Sequence, residues 1–314
     1  MKLAIAGAGA MGGRFGYMLN KAGIGVTLID QWEPHIAAIR EQGLQVNNDG
    51  DIETVRLPIY RPEELDPDEN DFDLIILFPK SLQLDGMLQA IKPLLTENTN
   101  VLCLLNGLGH ETIVEKYVAK DNIYLGCTMW TAGLEGPGKI KLLGSGNINF
   151  QNLGEKSADT GEEIAQILSK AGLGASYCDN VMYEVYKKAC ANGATNALCT
   201  LLEVNLTTFG NTRCAEDIVR AVVSEYSAVA AVEGVKLDVD EITGFIVNVA
   251  FNPEKIGRHF PSMYQDLVLT NRRTEVDCIN GIIGEKGTAY GISTPYCEFI
   301  TQLTHCKEDV LGAE

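Results

Sequence analysis

The chain has 314 residues, of which 46% are hydrophobic and 21% charged, and a formal net charge of −17. That length suits two globular domains, and the acidity argues against a nucleic-acid or anionic-membrane partner, since both require basic patches. No run of eighteen uninterrupted apolar residues occurs, so no membrane span is expected.

The amino terminus carries the most specific signal. Lys2–Ala6 is a short apolar run. Gly7, Ala8, Gly9, Ala10, Met11 and Gly12 follow at once, then a helical stretch, then a second apolar run, Ile24–Ile29, ending in Asp30. A strand, a glycine turn, a helix and a strand tipped by an acid form a dinucleotide-binding pattern. Gly7 serves the tight turn, Gly9 lets backbone approach a pyrophosphate, and Gly12 lets the helix pack on the strand. A secretory signal is the competing reading, but Arg14 and the glycines break the apolar stretch and the chain runs on into a βαβ pattern.

Asp30 bears on the cofactor. A carboxylate there can accept hydrogen bonds from both hydroxyls of an adenine ribose and would repel a 2′-phosphate, and no arginine follows before Arg40. NAD is therefore expected over NADP. A plain strand-end turn residue is the other role open to Asp30.

Further candidate strands are Leu74–Phe78, Val101–Leu105 and Tyr124–Met129. Lys139–Leu143 and Asn147–Phe150 read as a pair around Gly144-Ser145-Gly146, and a helix is expected over 161–170. This is a doubly wound α/β sheet of the Rossmann type with room for a late antiparallel portion. Helical patterns then dominate, over 181–203, 211–234, 239–250, 272–290 and 295–305. A boundary near Asp179 divides a dinucleotide-binding domain, 1–179, from an all-helical substrate-binding and catalytic domain, 180–314.

Ligands of open α/β sheets bind beyond the carboxyl ends of the strands. Lys80-Ser81 and Asn106-Gly107 fall there, facing the nicotinamide half of a dinucleotide; a solvated lysine and a turn dipeptide are the bland readings. In the helical half Lys188, Asn192 and Asn196 recur every four residues among Ala189, Cys190, Ala191, Gly193 and Ala194. They are expected on one face of a tightly packed helix, where a cleft holding a polar ligand would give them partners. An exposed lysine face is the alternative. The nine cysteines are scattered without a CxxC pair, and read as buried free thiols of a reducing, cytoplasmic compartment. The four histidines lack ligand spacing, so no metal site is expected. The apolar helices after residue 211 suit either a homodimer contact or core packing.

Taken together, Gly7–Gly12, Lys80, Leu105-Asn106-Gly107-Leu108-Gly109, the Lys188/Asn192/Asn196 helix, Ser262-Met263-Tyr264-Gln265-Asp266 and Thr274–Gly281 resemble the ketopantoate reductase family over essentially the whole chain. Within it the chain looks most like the NAD-dependent D-2-hydroxyacid dehydrogenases, D-mandelate dehydrogenases included. The resemblance implies a 6-phosphogluconate-dehydrogenase-like arrangement, a Rossmann domain followed by a helical one with the substrate between them. It implies hydride transfer from NADH to C2 of a branched or aromatic 2-keto acid, Lys188 as general acid, and Glu275 as the active-site acid. It also implies that Asn192, Asn196 and Ser262 hold substrate, and that Asn106 and Lys80 lie near cofactor. Glu275 and Ser262 rest on the resemblance alone. A small 2-keto or 2-hydroxy acid is the expected partner, and a homodimer the expected assembly.

Three departures stand out. Asp30 differs from the neutral or basic surroundings of NADPH-using members, Tyr186 stands where many carry tryptophan and is expected to alter the pocket wall, and the stretch from Asp266 to Glu275 is one residue longer. The competing functions are ketopantoate reductase itself, that is 2-dehydropantoate 2-reductase using NADPH, and a non-catalytic NAD-binding sensor. The joint presence of Lys188, Asn192 and Glu275 argues against the sensor.

Overall fold

A computed structural model describes residues 1–313, which divide into two compact units. The first comprises Met1–Leu105 and His110–Val181; the second comprises Asn106–Gly109 and the chain from Met182 onward.

The first unit holds twelve strands: β1 (Leu3–Ala6), β2 (Val26–Ile29), β3 (Leu44–Asn48), β4 (Asp51–Val55), β5 (Ile59–Tyr60), β6 (Leu74–Leu77), β7 (Asn100–Cys103), β8 (Ile123–Thr128), β9 (Thr131–Gly136), β10 (Lys139–Leu143), β11 (Ile148–Asn152) and β12 (Ala175–Tyr177). Eight of them form one sheet in the order β12-β11-β8-β7-β6-β1-β2-β5. Every residue of β1, β6, β7 and β8 is buried, as a parallel sheet covered on both faces requires. Pairing is parallel from β5 to β8, and β11 joins β8 antiparallel, which is the late antiparallel portion. Ala6 pairs with Ile29 on one side and Leu77 on the other. The strand ends that lead into Gly7, Asp30 and Phe78 are therefore level, and the strand order reverses there, at β1.

A second sheet, β4-β3-β10-β9, was not anticipated. β10 pairs with β3 and β9, and β11 pairs with β8 and β12. The expected pairing of Lys139–Leu143 with Asn147–Phe150 is thus wrong, because the two strands belong to different sheets. The small sheet packs on helix Ala10–Lys21, where a Cβ on Gly13 would lie 3.2 Å from Ile140 Cδ1. Phe15, Leu19, Leu28, Val46, Ile140 and Leu142 are among the side chains of the resulting core.

The second unit is helical, with helices that include Asn196–Leu202, Ala215–Val232, Val239–Phe245, Ile282–Tyr290 and Pro295–Leu311. Three five-residue π-helical turns interrupt or extend them: Ile246–Ala250, Gln265–Leu269 and Asp277–Gly281. Helix Val181–Gly193 leads into this unit, turning Val185, Tyr186, Ala189, Cys190 and Gly193 inward.

The expected helix over 181–203 is two helices, broken at Ala194-Thr195. The break has one local and one distant cause. Thr195 N–H bonds back three residues to Asn192, its hydroxyl takes the Ala191 carbonyl at 2.8 Å, and the Asn280 side-chain amide takes the Gly193 carbonyl at 3.0 Å. A Cβ on Gly193 would lie 2.6 Å from the Tyr226 hydroxyl, which itself donates to Ile279 O at 2.8 Å. Only glycine lets these three segments meet.

Among the described residues no helix is long and apolar enough to cross a membrane, and no group of three or more His, Cys, Asp and Glu could hold a metal. All nine cysteines are free. Burial holds for Cys103, Cys127, Cys190, Cys199 and Cys297 but not for the others: Cys178 and Cys278 are half-buried, and Cys214 and Cys306 are exposed.

Candidate active site

In the first unit the site is built on the turn after β1. Gly7 has φ +94°, and a Cβ there would lie 2.4 Å from the Phe78 carbonyl carbon. A Cβ on Gly12 would fall 1.9 Å from Gly7 O, so helix Ala10–Lys21 starts closer to the turn than any side chain allows. Gly9 differs: a Cβ there would meet nothing within 4 Å. No internal packing explains that glycine, so the space before it suits a pyrophosphate. The helix that follows has no side-chain cap and no acid in its first turn, which leaves its positive end to an anion. These residues fit a dinucleotide.

Asp30 is tied to the same turn. Its Oδ2 accepts the Ala8 N–H at 2.6 Å, and its Oδ1 accepts the N–H groups of Gln31 and Trp32, both at 2.8 Å. A carboxylate has about four acceptor positions, so capacity remains for a ribose hydroxyl. Buried His35 completes the frame. Its Nδ1 accepts from Gly138 N–H at 3.0 Å, so the proton sits on Nε2, which donates to Ala8 O at 2.9 Å. Burial lowers its pKa, outweighing the raising effects of the Ala8 carbonyl and Asp30, and the ring is the neutral form that this bonding needs. Sequence reasoning missed His35; its only signal was a lone histidine on an amphipathic helix. Lys80, three residues beyond β6, is half-buried at the start of the 3-10 turn Ser81–Gln83.

In the second unit Lys188 Nζ donates to Asn106 Oδ1 at 2.8 Å. Asn106 reaches that position through its neighbours. Gly107 and Gly109 have φ of +99° and +85°, Leu108 N–H bonds to Cys278 O at 2.8 Å, and a Cβ on Gly107 would lie 2.3 Å from that oxygen. Asn106 was expected with the first domain; it clusters with the second unit.

Asn192 shares helix Val181–Gly193 and its face with Lys188, as expected, but Asn196 does not continue that face, because the break at Ala194-Thr195 separates it. Asn192 is half-buried near the end of its helix, and Asn196 is buried at the start of the next. Glu275 is buried just ahead of the π-turn Asp277–Gly281, and Ser262 is exposed at the first position of helix Ser262–Tyr264. Tyr186 is fully buried with its hydroxyl on Glu233 at 2.6 Å. It belongs to the interior of the helical unit, not to a pocket wall as expected. Between Asp266 and Glu275, the π-helical turn Gln265–Leu269 and the left-handed Asn271 take up chain length, and Arg272 Nη2 pairs with Asp266 Oδ1 at 2.7 Å.

A glycine-turn Rossmann-type unit, joined in one chain to a helical unit with a lysine–amide pair, defines a class of dinucleotide-linked oxidoreductases. Comparison with known proteins narrows it. The family described as "Ketopantoate reductase PanE/ApbA" matches residues 3–155, and its C-terminal counterpart matches residues 180–308. The 2-dehydropantoate 2-reductase of Lactococcus lactis subsp. lactis is 52% identical over 314 residues, covering 100% of both chains. That of Streptococcus pyogenes serotype M18 is 46% identical over 317 residues, also covering 100% of both. Among solved structures, the ternary structure of D-mandelate dehydrogenase with NADH and anilino(oxo)acetate superposes with a TM-score of 0.97 at 52% identity, covering 100% of both chains. The chain belongs to the ketopantoate reductase family. It is an oxidoreductase that uses a nicotinamide cofactor on a keto or hydroxy acid.

Proposed function

We propose that the chain reduces the C2 ketone of a branched or aromatic 2-keto acid with NADH, reversibly. Asp30 carries the cofactor half of this reading. Three backbone N–H groups fix its carboxylate beside the glycine turn, where a ribose 2′-hydroxyl would be accepted. A 2′-phosphate about 4 Å away would be disfavoured by roughly 1 to 4 kcal/mol.

NADH, when bound, supplies the hydride delivered to C2. Lys188 stabilises the charge growing on the ketone oxygen and donates the proton. Asn106 accepts one of the ammonium donors and so fixes the position of Nζ. Glu275 orients the lysine and substrate, and Asn192, Asn196 and Ser262 hold the polar groups of the keto acid. Lys80 is assigned to the cofactor.

Two readings of the substrate differ in what supports them. The D-2-hydroxyacid dehydrogenase reading, D-mandelate dehydrogenase-like, draws on Asp30 and on the likeness to the NADH-bound D-mandelate dehydrogenase. The second reading, 2-dehydropantoate 2-reductase, draws on the name shared by the curated relatives and is the better supported of the two by name. Steady-state oxidation of NADH and NADPH, each with ketopantoate and with phenylglyoxylate, separates them. Preference for NADH is expected. Faster turnover of phenylglyoxylate selects the first reading and of ketopantoate the second, while preference for NADPH would overturn the role of Asp30.

A further inference from the structure

The last helix, Pro295–Leu311, holds the segment that carries Glu275 from both sides. Upstream, Glu308 Oε1 accepts the Thr274 N–H at 2.7 Å and the Thr274 hydroxyl at 2.6 Å. Downstream, His305 Nε2 lies 2.9 Å from Asp277 Oδ1. The two anchors are joined, because His305 Nδ1 lies 2.9 Å from Glu308 Oε2. One turn of helix thus fixes the residue before Glu275 and the residue two after it. Between them Lys307 turns the other way and donates to the carbonyls of Thr200 and Leu201 and to the Glu203 carboxylate. It caps the helix that begins at Asn196.

Carboxylates only accept, so an imidazole with one on each nitrogen must donate from both and is therefore the cation. Glu308 is buried, and replacing its charged partner would leave its carboxylate only the Thr274 hydrogen bonds on one oxygen. Asp277 and Glu308 are the charged groups that act on the ring.

We infer that His305, as an imidazolium, and Glu308 are positioning residues that hold Glu275 in its working orientation, so that turnover depends on the charge of His305. The inference rests on the proposed role of Glu275. Burial lowers the His305 pKa, but the hydrogen bonds to Glu308 and Asp277 outweigh it and the net shift is upward. The clamp is therefore complete at and below the ordinary histidine range and opens as pH rises through the raised value.

The test compares kcat of the wild type with that of His305→Gln, His305→Arg and Glu275→Gln across pH, with NADH affinity and circular dichroism as controls. The His305 side chain is 43% exposed, so these replacements have room. The ratio of wild-type to His305→Gln kcat is expected to be roughly tenfold at about pH 6 and to approach one at about pH 9, with NADH affinity unchanged. His305→Arg keeps a cation and should restore turnover at high pH. A ratio that does not vary with pH, or equal turnover throughout, overturns the clamp. If Glu275→Gln loses turnover while His305→Gln keeps it, the clamp alone fails. If Glu275→Gln turns over normally, the role of Glu275 fails and the clamp with it.

Discussion

Lys188 shows how much a lysine's position depends on its surroundings. Its Nζ donates to the amide oxygen of Asn106, and that amide is placed by two left-handed glycines and the Leu108–Cys278 backbone bond. Lys188→Ala is expected to lower kcat by about 10²- to 10⁴-fold with NADH affinity unchanged, because the glycine turn and Asp30, proposed to bind the dinucleotide, belong to the first unit. Stopped-flow reduction together with fluorescence titration of NADH would check this; near-normal turnover would remove Lys188 from the chemistry. Individual residues were legible to different degrees. The glycine turn and the strand-end position of Asp30 could be read because both are local in sequence. The Lys188–Asn106 pair could not, since 82 residues separate the partners. The roles of His35, Asn280, His305 and Glu308 could not be read because each depends on contacts with residues distant in sequence.

Among the elements, the buried parallel strands were readable because burial on both faces leaves a continuous apolar run. The small sheet was not. β4 is exposed at four of its five positions and β9 has no buried residue, so neither shows the alternation or apolar run that marks a strand. The helix over 181–203 looked continuous because Ala, Cys and Asn all permit helix. Its break is set by Thr195 and by Asn280, which arrives from 87 residues away. The glycine turn yields a paired prediction. Gly7→Ala combines a positive φ with backbone overlap and should cost roughly 2 to 4 kcal/mol of stability. Gly9→Ala should leave the thermal midpoint nearly unchanged while weakening NADH binding, since its Cβ would point into open space. Calorimetry alongside NADH titration distinguishes the two; equal losses of stability would show that Gly9 is a packing glycine.

At the scale of the molecule the two units answer pH in opposite senses. The folded His35 has a lowered pKa because it is buried. Its contribution is fully present above the ordinary value of about 6.5 and fades as pH falls through the lower folded value. His305 has a raised pKa. Its contribution is fully present below about 6.5 and fades as pH rises through the higher folded value. Hydrogen exchange, corrected for intrinsic rates, should therefore show the Gly138 amide losing protection on the acid side and the Thr274 amide losing it on the alkaline side. Parallel behaviour at both amides would refute the assignment of opposite charge states.

Residues 106–109 leave the first unit's run of sequence and cluster with the second. The boundary is therefore not a single cut, and the helical unit is not a transferable cassette. A fragment starting at Met182 would carry Lys188 without Asn106. A chimera that joins this helical unit to another dinucleotide-binding unit at one crossover would inherit a foreign loop opposite the lysine. Recombination among relatives must preserve the sequence of that four-residue loop as well as the helical half, so the two stretches should be exchanged together or not at all.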